Sequence, residues 1–331
     1  MIKLKKAGIN AAITLAMPVA VYIIFVVLTR AIPGSIPFGS VGMLLAILQN
    51  SVLGILVAMA LCVNMPTFRI DLSAGAVVIL TSIISASLTI NYDLHIMTML
   101  LISIVTATAL SMITALTYIF LRIPMIVVSL GLVVVYEALT GIVFGGYGVV
   151  ALGANTRLLG WQPWAFIVAI IAMIIFHFLT EHTRFSYSTR LLSGGQAMAV
   201  KMGVKENTNV LKAFAIAGFF LGLAAMIYVS NFGFIEVASG MSSGTVIFEA
   251  LLPVLMGMML ARFSCNAIGI AVSVVTLKTF SYGLFCLGYN ATVQNVVSGT
   301  FVLLLVLFMR GVAARQQKKR IVARAERLAG A

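Results

Sequence analysis

Four ionisable side chains stand inside otherwise apolar runs, and any chemistry this chain performs has to reckon with them: Asp71, Glu137, Glu249 and Lys278. A charge placed against hydrocarbon costs several kcal/mol, so such groups face protein or water and mark substrate paths, proton relays or ion pairs. Asp71 follows closely on Arg69 and is within its reach, at what reads as a helix start. A carboxylate is favoured there by the positive end of the helix dipole, and that reading ranks above a substrate contact. Glu137 lies in mid-run with no mate nearby in sequence, and Tyr136 and Thr140 can share its hydrogen bonding, Thr140 by helical i,i+3 spacing. Lys278 can pair with Glu249, pair with Glu137, or snorkel. A chain of carboxylates also suits proton coupling, so an ion-coupled secondary transporter is one reading of these groups.

Catalytic chemistry finds little support. The chain has no G-x-x-x-x-G-K-[ST] phosphate loop, no H-E-x-x-H zinc helix and no G-x-S-x-G elbow. His95, His177 and His182 are scattered at run boundaries, and the spacing of the last two suits a metal pair poorly. Cys62, Cys265 and Cys286 imply no disulfide framework. No catalytic residue, no metal site and no cofactor of its own are assigned, and an embedded enzyme would need polar groups clustered at one depth.

The elements that position these residues follow from composition. Of the residues 62% are hydrophobic and 9% charged, against roughly a quarter charged in soluble domains. A membrane-spanning helix needs about 20 apolar residues. The pattern predicts an all-α polytopic membrane protein with about ten transmembrane helices, at 10–29, 41–62, 70–90, 96–120, 125–144, 161–180, 208–231, 246–260, 267–287 and 293–310. The eighth is short and contains Pro253, which predicts a broken or tilted helix. The first run reads as an uncleaved span. No segment outside the spans is long enough for a further domain, so residues 1–331 form one transmembrane unit with a basic tail at 311–331.

Lys and Arg set the orientation. With the amino terminus inside, the inner segments hold Lys3, Lys5, Lys6, Arg69, Arg122, Arg184, Arg190, Lys201, Lys205, Lys212, Arg262 and the tail, while the outer ones hold only Arg30 and Arg157. Both termini of a multi-pass membrane protein are therefore expected in the cytoplasm. The net charge of +13 flanks the spans, which suits anionic lipid headgroups and calls for no nucleic acid.

The longest polar stretch, 181–207, falls inside. Within it a short helix is expected at 196–202, entered through Ser193-Gly194-Gly195 and ended by Gly203. Ala197, Met198, Val200 and Met202 give it an apolar side, as a docking helix has and a plain loop does not need. Ten spans divide five and five, so a repeat would be inverted. The third and eighth spans then correspond, each with a carboxylate near its start, Asp71 and Glu249.

Four motifs resemble a known family. Phe68-Arg-Ile-Asp71-Leu-Ser73-Ala-Gly75 is similar to the F-x-I-D-L-S-x-G signature of permease subunits of bacterial ATP-binding-cassette importers for simple sugars, of the ribose, galactose and autoinducer-2 type. Leu121-Arg-Ile-Pro124-Met-Ile-Val-Val-Ser-Leu130-Gly131 resembles its I-P-P-F-I-x-T-L-G. Thr183-Arg184-Phe185-Ser, with Ser193-Gly194-Gly195-Gln196-Ala-Met-Ala199-Val-Lys-Met202-Gly203-Val, resembles its T-R-F-G … G-G-N-x-x-A-A-x-x-x-G-I. Phe248-Glu249-Ala250-Leu-Leu-Pro-Val-Leu-Met-Gly257 resembles its E-A-I-A-A-V-V-L-G-G. The order is the family's, over about residues 40 to 310. The departures are Gln196 for asparagine, Met125 for the second proline, and a stretch from Met258 to Asn266 without glycine.

The resemblance implies a subunit, in a bacterial plasma (inner) membrane, that forms the path while ATP is bound and hydrolysed on a partner chain. The implied partners are an ATPase subunit, an extracytoplasmic substrate-binding protein, a second permease subunit in a homodimer or heterodimer, and membrane lipids. It assigns Gly194, Gly195, Gln196, Ala199, Met202 and Gly203 to the ATPase-coupling loop. Candidate path residues are Asn50, Asn64, Asp71, Ser73, Tyr136, Glu137, Thr140 and Glu249. The polar uncharged ones can instead be helix–helix hydrogen bonds. The expected cargo is a simple sugar or a related small polar solute.

Overall fold

The computed structural model describes residues 2–32, 36–149, 152–261 and 264–290 and most positions of 292–307; for 2–13, 154 and 155 only the backbone is described. Arg262, the basic tail 311–331 and much of the tenth predicted span lie outside the described residues, and the described positions of 292–307 are helical.

The chain folds as α1 (Ile2–Ala31), α2 (Val41–Asn64), α3 (Ala74–Asn91), α4 (Ile96–Leu121), α5 (Met125–Thr140), α6 (Trp164–Glu181), α7 (Arg184–Gly194), α8 (Gln196–Lys201), α9 (Glu206–Phe232), α10 (Gly244–Leu260) and α11 (Asn266–Cys286). Among the described residues there is no β-strand, only a single antiparallel bridge between Val149 and Ile235. Among the described residues, seven helices are long and apolar enough to cross a membrane; Met125–Thr140 and Gly244–Leu260 are apolar but shorter. This is an all-α, multi-pass membrane protein.

Local chemistry sets the boundaries. The Ser40 hydroxyl accepts the Met43 N–H at 3.2 Å to start α2, and His95 Nδ1 accepts the Met97 N–H at 3.3 Å to start α4. These side chains satisfy amide groups that a helix start leaves without partners. Two expected boundaries move, and one expected break is absent. α3 begins at Ala74 rather than near residue 70, because the Asp71 carboxylate takes the Ser73 N–H and holds a turn before the helix. α5 stops at Thr140 rather than 144, where Phe144 and Gly145 take left-handed backbone conformations. The eighth span is not broken, for α10 continues through Pro253.

α9 lies centrally, packed against α4, α2 and α3, and is buried on nearly every side, as a helix apolar all round should be. Gly218 and Gly222 let it approach the α4 backbone closely: a Cβ at either would come within 2.6 and 2.5 Å of the Cα atoms of Thr108 and Ile104. α10 and α11 pack on each other and on α2, while α1 lies against α11. α3 and α10 meet at their amino-terminal ends, where a Cβ on Gly75 would collide with the Ser243 carbonyl. The outer faces of α4, α5 and α6 expose Leu101, Val105, Val127, Val134, Ile167 and Ile171. Apolar surface of this extent suits hydrocarbon rather than water.

Candidate functional site

The expected functional residues fall into three groups. The first is the loop. α7 precedes the short helix, an element the sequence reading missed although Thr183 is a good cap; its hydroxyl accepts the Ser186 N–H at 3.4 Å. Asn209 Nδ2 donates to Thr189 Oγ1 at 3.1 Å and ties α7 to α9. α8 follows at Gln196, and Gly203, with φ of +89°, turns the chain back into α9. Gly194, Gln196 and Gly203 are exposed and Gly195 partly so. Ala199, only 1% exposed, packs inward, whereas Met198 and Met202 stand 65% and 69% exposed on one face. The apolar side available to a partner is therefore the methionine side, and Ala199 belongs to the loop's own packing.

Beneath α8 sits a joint absent from the sequence reading. Glu206 Oε1 accepts from Gln196 Nε2 at 2.6 Å and from Arg69 Nη2 at 2.7 Å. The expected Arg69–Asp71 proximity is not what forms: the guanidinium turns to Glu206 and lies over the Tyr118 ring, 5.8 Å from its centroid. One carboxylate thus links the short helix, the start of α9 and the FRIDLS turn.

The second group is buried. Asp71 accepts from the Ser73 N–H at 2.8 Å and hydroxyl at 2.6 Å. Ser73 lies 3.4 Å from Thr114, which lies 3.1 Å from the Tyr136 hydroxyl; Tyr136 also donates to the Leu110 carbonyl at 2.9 Å. Glu137 accepts the N–H groups of Met241 and Ser243 at 2.8 and 2.9 Å, just before α10. Thr140 donates to the Glu137 backbone carbonyl at 2.6 Å and accepts the Ala238 N–H at 3.1 Å, so it does not share the Glu137 side chain's bonds. Asn64 is 1% exposed, and neither polar atom of its side chain has a hydrogen-bond partner among the described residues. Six of the eight candidate path residues therefore lie inside the helix packing.

The other two, Asn50 and Glu249, stand on an exposed face. Asn50 Nδ2 donates to the Tyr282 hydroxyl at 2.6 Å, and Lys278 Nζ donates to Glu249 Oε2 at 2.7 Å. The three cysteines are free, and no group of metal-ligating side chains occurs among the described residues. His177 and His182 only place their rings edge to face, 5.2 Å apart.

Comparison with known proteins decides what this arrangement belongs to. A family model described as branched-chain amino acid transport system / permease component matches residues 43–307. The chain belongs to this family. The permease is similar to the ribose import permease protein of Escherichia coli (strain K12), 22% identical over 82% of this chain and 86% of that one. It is also similar to an autoinducer 2 import system permease protein of Photorhabdus laumondii, 26% identical over 78% of each. The ribose import permease protein of Bacillus subtilis (strain 168) is 26% identical over 56% of this chain and 59% of that one. The chain is thus the transport component of an importer rather than an enzyme, which agrees with the sequence inventory. Two residues the sequence reading undervalued are Glu206, hidden because its partners are distant in the chain, and Tyr282, whose spacing of four from Lys278 was the available signal.

Proposed function

We propose that this permease forms the translocation path of a bacterial importer for a simple sugar or a related small polar solute, powered by ATPase subunits on separate chains. The observation that carries the coupling half is α8, a short helix with Met198 and its capping Met202 exposed, which Gln196 holds to the Glu206 carboxylate that Arg69 also binds. An ATPase that closes on ATP would seat this apolar face and move it, and Glu206 would pass the movement to α9 and to the turn before α3. The relatives' names, ribose and autoinducer 2, support a sugar-like cargo over the amino acids in the family's description.

In this reading both termini and the α7–α8 loop are cytoplasmic, which the Lys and Arg distribution supports. The solute arrives from an extracytoplasmic binding protein, and a second permease subunit, identical or not, completes the path. The meeting of α3 and α10 at their amino-terminal ends supports pairing them in an inverted five-plus-five repeat. An ion-coupled transporter would instead use Asp71 or Glu137 as a titrating group, yet each has hydroxyl or backbone N–H partners of the kind that hold a fold together.

The test is co-purification. Met198→Asp should abolish retention of the ATPase and uptake, while the altered permease still inserts. Unchanged ATPase retention and uptake would overturn the docking assignment.

A further inference from the structure

The exposed face built by α2, α10 and α11 carries an ion pair where lipid should allow none. Lys278 lies inside α11 (Asn266–Cys286), more than two turns from either end, and its partner Glu249 lies in the second turn of α10 (Gly244–Leu260). The Glu249 side chain is 64% exposed and that of Lys278 27%. One turn further along α11, on the same side, Tyr282 meets Asn50. Phe285, 55% exposed, continues that side.

Charges at this depth cost several kcal/mol against hydrocarbon, and the exposed large side chains that α4 and α6 present at their centres are apolar. The α2–α10–α11 face is of a different kind. Dry cover by another protein's apolar helix would also be costly, because desolvating an ion pair can outweigh its attraction. Water is the environment that suits all four side chains.

We propose that this face lines the water-filled route, and that Asn50, Glu249, Lys278 and Tyr282 are the groups that touch the passing solute, a neutral polyhydroxylated molecule. The inference rests on the permease reading and names its contact residues. Paired in contact, Glu249 and Lys278 carry no net charge, yet leave one carboxylate oxygen and two ammonium N–H groups free to accept from and donate to hydroxyls. Tyr282 and Asn50 add both kinds of group. Phe285 offers a flat apolar surface to the C–H side of a sugar ring.

The experiment uses the whole importer in cells, with Cys62, Cys265 and Cys286 replaced by alanine. Single cysteines are then placed at Asn50, Lys278 and Tyr282, and at Val105 and Ile171 as lipid-facing controls. A charged, membrane-impermeant methanethiosulfonate reagent reacts with thiolate, which forms only where water reaches. The three face positions should react at least about tenfold faster than the two controls, since a thiolate in hydrocarbon is strongly disfavoured. Equal rates overturn the proposal, and so does slow labelling with efficient cross-linking of the same positions between two permease subunits, which would make the face a protein contact. If Lys278→Cys fails to insert, Asn50→Cys and Tyr282→Cys keep the ion pair and carry the test. With ribose as the probe, Glu249→Ala should lower uptake severalfold or more while ATPase retention persists. Fast labelling in an importer that takes up leucine and not ribose would overturn the solute class and leave the lining intact.

Discussion

Glu137 satisfies two backbone N–H groups ahead of α10 with a single buried carboxylate, 4% exposed. Removing an acceptor that two buried donors need costs about 1–3 kcal/mol per orphaned group. Glu137→Ala should therefore lower the melting temperature of the detergent-solubilised permease by several degrees. Glu137→Gln, which keeps one acceptor oxygen and turns an NH2 toward the other donor, should fall between; a melting curve for Glu137→Ala that overlays the wild type would contradict this role. The sequence marks Glu137 as facing the subunit interior or the path rather than lipid, since an isolated mid-span carboxylate costs several kcal/mol against hydrocarbon. It does not say which donors approach, because Met241 and Ser243 are far along the chain and meet Glu137 through their backbones. The same limit hid Glu206, whose partners Gln196 and Arg69 come from different elements. Lys278 shows the converse: three fates were open from sequence, and only the packing of α10 on α11 selects Glu249.

At the scale of elements, the joint under α8 makes a prediction about coupling. Glu206→Gln should leave ATP hydrolysis by the assembled importer largely intact while uptake per ATP falls severalfold. The charge exchange Arg69→Glu with Glu206→Arg should restore part of the loss, read as solute moved per ATP hydrolysed; equal losses of hydrolysis and uptake in every variant would make Glu206 merely structural. Among the described residues, nine predicted spans coincide with apolar helices, because hydropathy and length report directly on the need to satisfy every backbone group within the bilayer. The misplaced ends trace to local chemistry that hydropathy does not carry. The Asp71–Ser73 turn shortens α3, and left-handed residues after Thr140 shorten α5. α7 escaped because its charged, serine-rich sequence has no long apolar run, only the Thr183 cap. Ala199 belongs to the expected coupling loop, but its inward facing is not legible in sequence; with α8 one short helix on a turn, that facing is set by how Gly203 redirects the chain into α9.

For the molecule as a whole, topology and energy source follow from the same reading. Reporter fusions after Arg30, Arg122, Arg190 and Ala331 should report outside, inside, inside and inside, and an outside signal at Arg190 would contradict the placement of the α7–α8 loop. This order is the expectation that Lys and Arg alone set. The division between buried polar network and exposed polar face was not legible in sequence, because both are polar residues in apolar helices and differ only in what packs over them. The central claim is that transport through this chain is driven by ATP hydrolysed on a partner. It is tested most directly by loading vesicles with ATP and following ribose accumulation, with the binding protein present, for the permease assembled with its ATPase and for the permease alone under an imposed proton gradient. The account predicts accumulation in the first case, lost when ATP is replaced by a non-hydrolysable analogue, and none in the second. Uptake driven by the proton gradient in vesicles without the ATPase would contradict it.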